Sequence, residues 1–166
     1  MTDILRVAMV CTGNICRSPL GEVIFQELIE ADEVLRGRIV VSSAGTANWH
    51  VGKKMDPRAR KALDRAGVVR SGTPAQFASG TYLDGHDIVF VMTREHRTDV
   101  ERRLSNPHTK VVLVRNILDP GCELDVHDPY YGDDADFDEC LQLLTAAGQR
   151  WTSEFRQQLG AGSYEA

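Results

Sequence analysis

The chain has 166 residues, a size typical of one domain with a substantial hydrophobic core. With 42% hydrophobic and 26% charged residues it has the composition of a soluble globular protein, and its net charge of −5 argues against a dedicated nucleic-acid binder. No apolar run approaches the ~20 residues of a membrane span, and no signal peptide is visible. Four cysteines without framework spacing indicate a reducing compartment. We therefore expect one cytoplasmic domain (residues 1–166, core about 4–158) with no nucleic-acid or membrane partner, and leave signal-independent export open.

Apolar runs and helical periodicities alternate along the sequence. The runs predict strands at residues 5–10, 39–42, 87–92 and 110–114. Apolar residues at three- and four-residue steps, together with cap residues, predict helices at residues 18–31, 57–67, 93–104 and 137–155. Residues 70–86 are predicted to be loop with one short helix, and a polar tail begins at about Gly160. This order predicts a three-layer α/β fold, flavodoxin- or Rossmann-like, with a four-stranded parallel sheet flanked by helices on both faces.

The stretch CTGNICRS, residues 11–18, joins the first strand to the first helix. It therefore lies at the carboxyl edge of the sheet, where ligands of such folds bind. Backbone N–H groups at a helix N-terminus attract anions, and the Arg17 guanidinium can hold two phosphate oxygens. The same donors favour the thiolate of Cys11, which can attack phosphorus, and Ser18 can stabilise that thiolate. The alternative interpretation is that Cys11 and Cys16 are small buried residues at a tight turn.

Two segments resemble signatures of the low-molecular-weight protein tyrosine phosphatases. VCTGNICRSP, residues 10–19, is similar to the active-site signature of that family, and DPYYGD, residues 128–133, is similar to its general-acid loop. The resemblance extends from Arg6 to Phe155, and SSAGTANWHVG at residues 42–52 is similar to the actinobacterial members. It implies the phosphotyrosine phosphatase I fold and hydrolysis of phosphotyrosine in proteins, and of small aryl phosphates, through a phosphocysteine, with no cofactor and no metal.

The resemblance also implies roles for individual positions. Cys11 is the nucleophile, Arg17 holds the phosphate, and Asp128 protonates the leaving oxygen and then activates water. The residues expected to bind phosphate or substrate are Thr12, Gly13, Asn14, Ile15, Cys16, Ser18, Trp49, Tyr130 and Tyr131. The residues expected to support the loop are Asn14, Ser18 and Ser43. Cys16 is expected to form a reversible disulfide with Cys11, which protects the nucleophile from over-oxidation.

Aromatic residues supply a reason for specificity. Tyr130 and Tyr131 follow Asp128 directly, and with Trp49 as the opposite wall they would form a slot that suits a phosphotyrosine ring. The resemblance adds that a tyrosine kinase can phosphorylate the same pair. Without the family, Asp128-Pro129 reads equally well as an ordinary turn opener.

The sequence departs from the family at the support of the loop. The family often carries Ser-His-x-Ala-Arg-Gln, whereas residues 71–76 are SGTPAQ and lack both the histidine and the arginine, and Thr93 replaces a common acidic residue. His50, His86 and His96 show no ligand spacing and are interpreted as surface or loop residues. The arginines of residues 94–103 are interpreted as a solvated helix face.

Two other functions are compatible with the loop. An arsenate reductase on the same fold needs two later thiols close together on a mobile segment, but Cys122 and Cys140 are 18 residues apart and are interpreted as structural. A phosphotyrosine-binding module without activity would normally lack Cys11, Arg17 or Asp128. We therefore predict a protein tyrosine phosphatase, acting on tyrosine-phosphorylated proteins as a monomer.

Overall fold

The computed structural model describes residues 3–160. Within that range the strands are β1 (Leu5–Cys11), β2 (Ile39–Gly45), β3 (Ile88–Val91) and β4 (Lys110–Leu113). The α-helices are α1 (Arg17–Ala31), α2 (Pro57–Arg65), α3 (Gly80–Asp84), α4 (Arg94–Arg103) and α5 (Asp134–Gly160), with short 3-10 helices at Val114–Ile117 and Pro129–Tyr131. None of the helices in this range is long and apolar enough to cross a membrane. The polar tail predicted beyond Gly160 lies outside the described residues.

The strands form one parallel sheet in the order β2-β1-β3-β4. Cys11 at the end of β1 pairs with Gly45 at the end of β2, and Val10 pairs with Val91 at the end of β3. The carboxyl ends of these strands therefore share one edge, and the chain passes from β1 into α1 at that edge. The predicted α/β fold with a four-stranded parallel sheet is confirmed.

The central strand β1 is buried on both faces of the sheet. Val7 and Met9 belong to the apolar cluster formed with α1 and α5, whereas Ala8 and Val10 belong to a second cluster with α3 and α4. All four side chains are fully buried. Since successive side chains of a strand point to opposite faces, a continuous apolar run is what a sheet covered on both sides requires.

The second strand is longer than the sequence predicts. The prediction ends it at residue 42 because Ala44-Gly45 resembles a turn, but β2 continues to Gly45. A Cβ atom at Gly45 would lie 2.5 Å from the carbonyl oxygen of Thr12, so the glycine is needed for close approach of the first loop. The prediction of a turn at this position is wrong.

Side-chain caps explain where α2 and α4 begin. Asp56 accepts a hydrogen bond from the backbone N–H of Arg58 at 2.8 Å and caps α2, with Pro57 in its first turn, as predicted. Thr93 caps α4 in the same way, and the short helix predicted within residues 70–86 is α3. The last helix begins at Asp134, three residues before its predicted start. Acidic side chains in its first turn stabilise this end, because the helix dipole is positive at the N-terminus.

Candidate active site

The loop between β1 and α1 encloses the Cys11 side chain. Cys11 is 3% exposed, and its Sγ lies 2.9 Å from the Oγ of Ser18 in the first turn of α1. The loop is tied to the chain after β2, since the N–H of Thr46 donates to the carbonyl of Cys11 at 2.9 Å and that of Ala47 to the carbonyl of Thr12 at 3.0 Å. The sulfur thus lies at a helix N-terminus with a hydroxyl beside it.

Asn14 braces this loop from within. Its backbone has a φ of 57°, a left-handed conformation that asparagine tolerates better than most residues. Its Nδ2 donates to the Oγ atoms of Ser18, at 2.8 Å, and Ser43, at 2.9 Å. Its Oδ1 accepts from the backbone N–H of Gln76 at 3.0 Å. The buried amide therefore joins the hydroxyl next to Cys11 to strand β2 and the segment before α3.

Glu22 lies next to Gly72, the position at which the sequence lacks the family histidine. Its carboxylate is buried in α1 and accepts from the N–H of Thr73 at 3.0 Å and the Oγ of Thr73 at 2.8 Å. Burial raises the pKa of Glu22, although hydrogen bonds from Thr73 and Ser43 oppose that shift. A Cβ atom at Gly72 would lie 2.7 Å from the Glu22 carboxylate, so there is no room for a side chain at residue 72 without a shift. Sequence reasoning missed Glu22, although an acidic residue inside the apolar run of residues 20–25 is a visible signal.

His96 is a second residue that the sequence analysis misplaced. It is 3% exposed and its Nε2 lies 2.8 Å from the Oγ1 of Thr12, so its interpretation as a surface or loop residue is wrong. The Nδ1 of His96 is buried with no hydrogen-bond partner among the described residues. Burial, assisted by the nearby Arg17 guanidinium, lowers the pKa of His96 to about 4. The imidazole beside the loop is therefore neutral at physiological pH.

Arg17 and Asp128 meet at the mouth of the site. Arg17 is buried, with 5% of the residue exposed, and its guanidinium donates to the carbonyl of Val126 at 3.1 Å and pairs with the Oδ2 of Asp128 at 3.3 Å. The other carboxylate oxygen accepts from the N–H of Tyr130 at 3.1 Å and caps the short helix Pro129–Tyr131. The Arg17 guanidinium can hold two oxygens of an anion through parallel N–H groups. The Asp128 carboxyl group lies next to it and borders the same cavity.

A cavity of about 340 Å³ opens above the loop. Its lining residues are Cys11, Thr12, Gly13, Ile15, Cys16, Arg17, Trp49, His50, Asp128, Tyr130 and Tyr131. Trp49 is 70% exposed and Tyr131 is 90% exposed, so the aromatic side chains rise from the rim rather than pack in the core. His50, which the sequence analysis assigned to a loop, borders the cavity; its ring would lie 3.0 Å from a Cβ atom at Gly13.

The remaining thiols differ in burial. Cys16 is buried, and its pKa is raised by that burial, by the Asp56 carboxylate and by the charge of Cys11. Burial likewise raises the pKa of Cys140 on α5 to about 12. Cys122 lies in an exposed loop. Within residues 3–160, no group of three or more His, Cys, Asp or Glu side chains is arranged to hold a metal ion.

Comparison with known proteins identifies the family. The sequence model described as low molecular weight phosphotyrosine protein phosphatase matches residues 6–161. The low molecular weight protein-tyrosine-phosphatase of Streptomyces coelicolor is 36% identical over 159 residues, which cover 93% of this chain and 95% of that protein. The chain belongs to the low-molecular-weight protein tyrosine phosphatases. Phosphatase A of that family from Mycobacterium tuberculosis is 39% identical over 150 residues, 89% of each chain.

A solved structure supports the same assignment. The low molecular weight phosphotyrosine phosphatase of Vibrio cholerae superposes with a TM-score of 0.82 at 29% identity, over 93% of this chain and 98% of that one. The resemblance to the family, including its actinobacterial members, is therefore confirmed. As a low-molecular-weight protein tyrosine phosphatase, the protein is a hydrolase whose substrates are tyrosine-phosphorylated proteins.

Proposed function

We propose that Cys11, Arg17 and Asp128 hydrolyse phosphotyrosine in two steps. In the first step the Cys11 thiolate attacks phosphorus, and the aryl oxygen leaves with a proton from the Asp128 carboxyl group. Arg17 and the backbone N–H groups of the loop hold the equatorial oxygens, where charge is greatest in the transition state. In the second step Asp128, now a carboxylate, takes a proton from water, and the water oxygen displaces the Cys11 thiolate from the phosphocysteine.

The observation that carries this proposal is the position of the Cys11 sulfur between the Ser18 hydroxyl and the cavity. The 2.9 Å contact lets Ser18 donate to the thiolate before attack and again when the sulfur leaves phosphorus. Asp128 borders the same cavity, which is where a leaving aryl oxygen would lie. A thiolate and a protonated carboxyl group are required together, so we expect a bell-shaped pH profile.

The walls of the cavity suit an aromatic substrate. Trp49 on one loop and Tyr130 and Tyr131 on another both border it. A phosphotyrosine ring can lie between such rings while its phosphate reaches Arg17, whereas the short side chain of phosphoserine cannot span the same depth. We therefore propose selectivity for phosphotyrosine over phosphoserine.

The rim and the second loop thiol also suggest regulation. Tyr131 is exposed enough for a tyrosine kinase to reach, and Tyr130 is 40% exposed. Oxidation of Cys11 by peroxide gives a sulfenic acid, and condensation with the Cys16 thiol would then form a disulfide and release water. We further propose that the protein acts as a single phosphatase domain, as a monomer, in the cytoplasm.

The proposal is tested by hydrolysis of aryl phosphates with wild type, Cys11→Ser and Asp128→Ala. Cys11→Ser is expected to abolish turnover. Asp128→Ala should lower kcat/KM by about 10²–10⁴-fold for phenyl phosphate and much less for 4-nitrophenyl phosphate, whose leaving group needs little protonation. Full activity in Cys11→Ser would refute the mechanism, and an equal loss of kcat/KM on both substrates would refute the role of Asp128.

A further inference from the structure

Arg58, which none of the roles above includes, joins the two loops of the active site. It lies in the first turn of α2, directly after the Asp56 cap and Pro57. Its Nε donates to the Oδ1 of Asp56 at 3.1 Å and one terminal nitrogen donates to the Oδ2 at 3.0 Å, a two-point contact that fixes the plane of the guanidinium. Its other terminal nitrogen is left free to reach a different segment of the chain.

That nitrogen reaches the segment that carries Asp128. It donates to the carbonyl of Tyr130 at 2.9 Å and lies 3.4 Å from the carbonyl of Gly132. The guanidinium also lies over the rings of Tyr130, at 5.3 Å, and Phe137, at 4.6 Å. Phe137 is fully buried in α5, so the guanidinium is held from one side by the core. Residues 130–134 are exposed to solvent. The other hydrogen bonds that their backbone N–H groups donate are local, from Tyr130 to Asp128, from Gly132 to Pro129 and from Asp133 to Asp136.

The opposite end of this connection is the phosphate-binding loop. The backbone N–H of Asp56 donates to the carbonyl of Ile15 at 2.8 Å, one residue before Cys16. A chain of hydrogen bonds therefore runs from Ile15 through Asp56 and Arg58 to Tyr130. Asp128 depends on this turn, because its Oδ1 accepts from the N–H of Tyr130.

We propose that Arg58 is a positioning residue that holds residues 128–132 at the distance from the phosphate-binding loop at which Asp128 reaches the leaving oxygen. Arg58 is not among the residues that line the cavity, so it acts without contacting a substrate bound there. It acts by fixing the carbonyls of Tyr130 and Gly132 relative to Asp56, and Asp56 relative to Ile15. The inference rests on the proposed role of Asp128 as general acid.

The test compares Arg58→Met with Arg65→Met. Methionine keeps an unbranched apolar chain next to Phe137 but removes every donor. Arg65 is on the same helix and pairs with Asp138 of α5 at 2.6 Å, so its variant loses a link between α2 and α5 without touching the loop that carries Asp128. The assay is kcat/KM for a series of aryl phosphates with leaving groups of increasing pKa.

If residues 128–132 are held less firmly, kcat/KM should fall most for substrates whose leaving group has a high pKa, because these depend most on protonation by Asp128. General acid catalysis contributes about 10²–10⁴-fold, so partial misplacement should lower kcat/KM on phenyl phosphate on the order of tenfold. On 4-nitrophenyl phosphate we expect kcat/KM to fall by less than about twofold. In Arg65→Met the dependence of kcat/KM on the leaving-group pKa should be the same as in wild type. Arg58→Lys keeps the charge but lacks the planar fork, and should be intermediate. Combining Arg58→Met with Asp128→Ala should give no further loss on phenyl phosphate.

The outcomes separate this inference from the proposal on which it rests. If Asp128→Ala steepens the dependence on the leaving group but Arg58→Met and Arg58→Lys do not, the positioning role of Arg58 is wrong while the role of Asp128 stands. If Asp128→Ala itself leaves that dependence unchanged, the general-acid assignment fails first. A uniform loss across all leaving groups in Arg58→Met would indicate general destabilisation and would also overturn the inference.

Discussion

Acidification should weaken the fold through His96, the buried imidazole at Thr12. The pKa of His96 is about 4 in the folded protein, whereas the pKa of the same histidine in the unfolded chain is near 6.5. Between pH 6.5 and pH 4, His96 therefore takes up a proton only in the unfolded chain. The contribution of the neutral imidazole to the free energy of unfolding is complete above pH 6.5 and is lost as the pH falls toward 4. The loss works out at about 2 kcal/mol by pH 5 and about 3 kcal/mol by pH 4.

The perturbation that isolates this effect is His96→Gln, because glutamine can bond to Thr12 but does not titrate. The assay is urea unfolding at pH 7.5, 6, 5 and 4. Wild type should lose about 2–3 kcal/mol more than His96→Gln over that range. His108→Gln, at an exposed histidine, serves as the control and should follow the wild type. If wild type and His96→Gln lose stability in parallel, the assignment of His96 as a neutral buried group is refuted.

Three further changes test the support of the loop and its thiols. Asn14→Ala removes the three hydrogen bonds of a buried side chain and should lower the free energy of unfolding in urea by about 3 kcal/mol. Asn48→Ala in an exposed loop should stay within about 0.5 kcal/mol of wild type. Because burial raises the pKa of Glu22, protonation of its carboxylate stabilises the folded state at low pH, and this contribution is lost as the pH rises above 4.5. The free energy of unfolding of Glu22→Gln relative to wild type should therefore rise with pH above 4.5. A difference between the two proteins that does not change with pH would contradict this. Cys16→Ser should prevent recovery of activity by thiols after peroxide, and unchanged recovery would exclude the disulfide.

Local patterns were sufficient to predict most of the fold. The run from Val7 to Val10 is apolar at every position, a pattern that is typical of a strand covered on both faces of the sheet. Asp56 and Thr93 cap helices because their side chains bond to N–H groups two or three residues later, a relation confined to neighbours in sequence. Such features can be read from the sequence because their partners are close along the chain.

Contacts between distant segments could not be predicted in this way. His96 meets Thr12 across 84 residues, and Arg58 meets Tyr130 across 72, so nothing in their own surroundings in the sequence marks them. The sequence predicts a turn at Gly45 because it does not reveal that the Thr12 carbonyl approaches this glycine. Glu22 could be predicted in part: an acidic side chain in an apolar helix indicates a buried partner, but the sequence does not identify that partner as Thr73.

The central claim is that Cys11 forms a covalent bond to phosphorus, and trapping that intermediate tests it most directly. Wild type and Cys11→Ser are mixed with 4-nitrophenyl phosphate, quenched within milliseconds, digested and analysed by mass spectrometry. We predict a phosphoryl group on the peptide that contains Cys11 in the wild type, and neither this adduct nor turnover in Cys11→Ser. Turnover at the wild-type rate in Cys11→Ser would contradict the account.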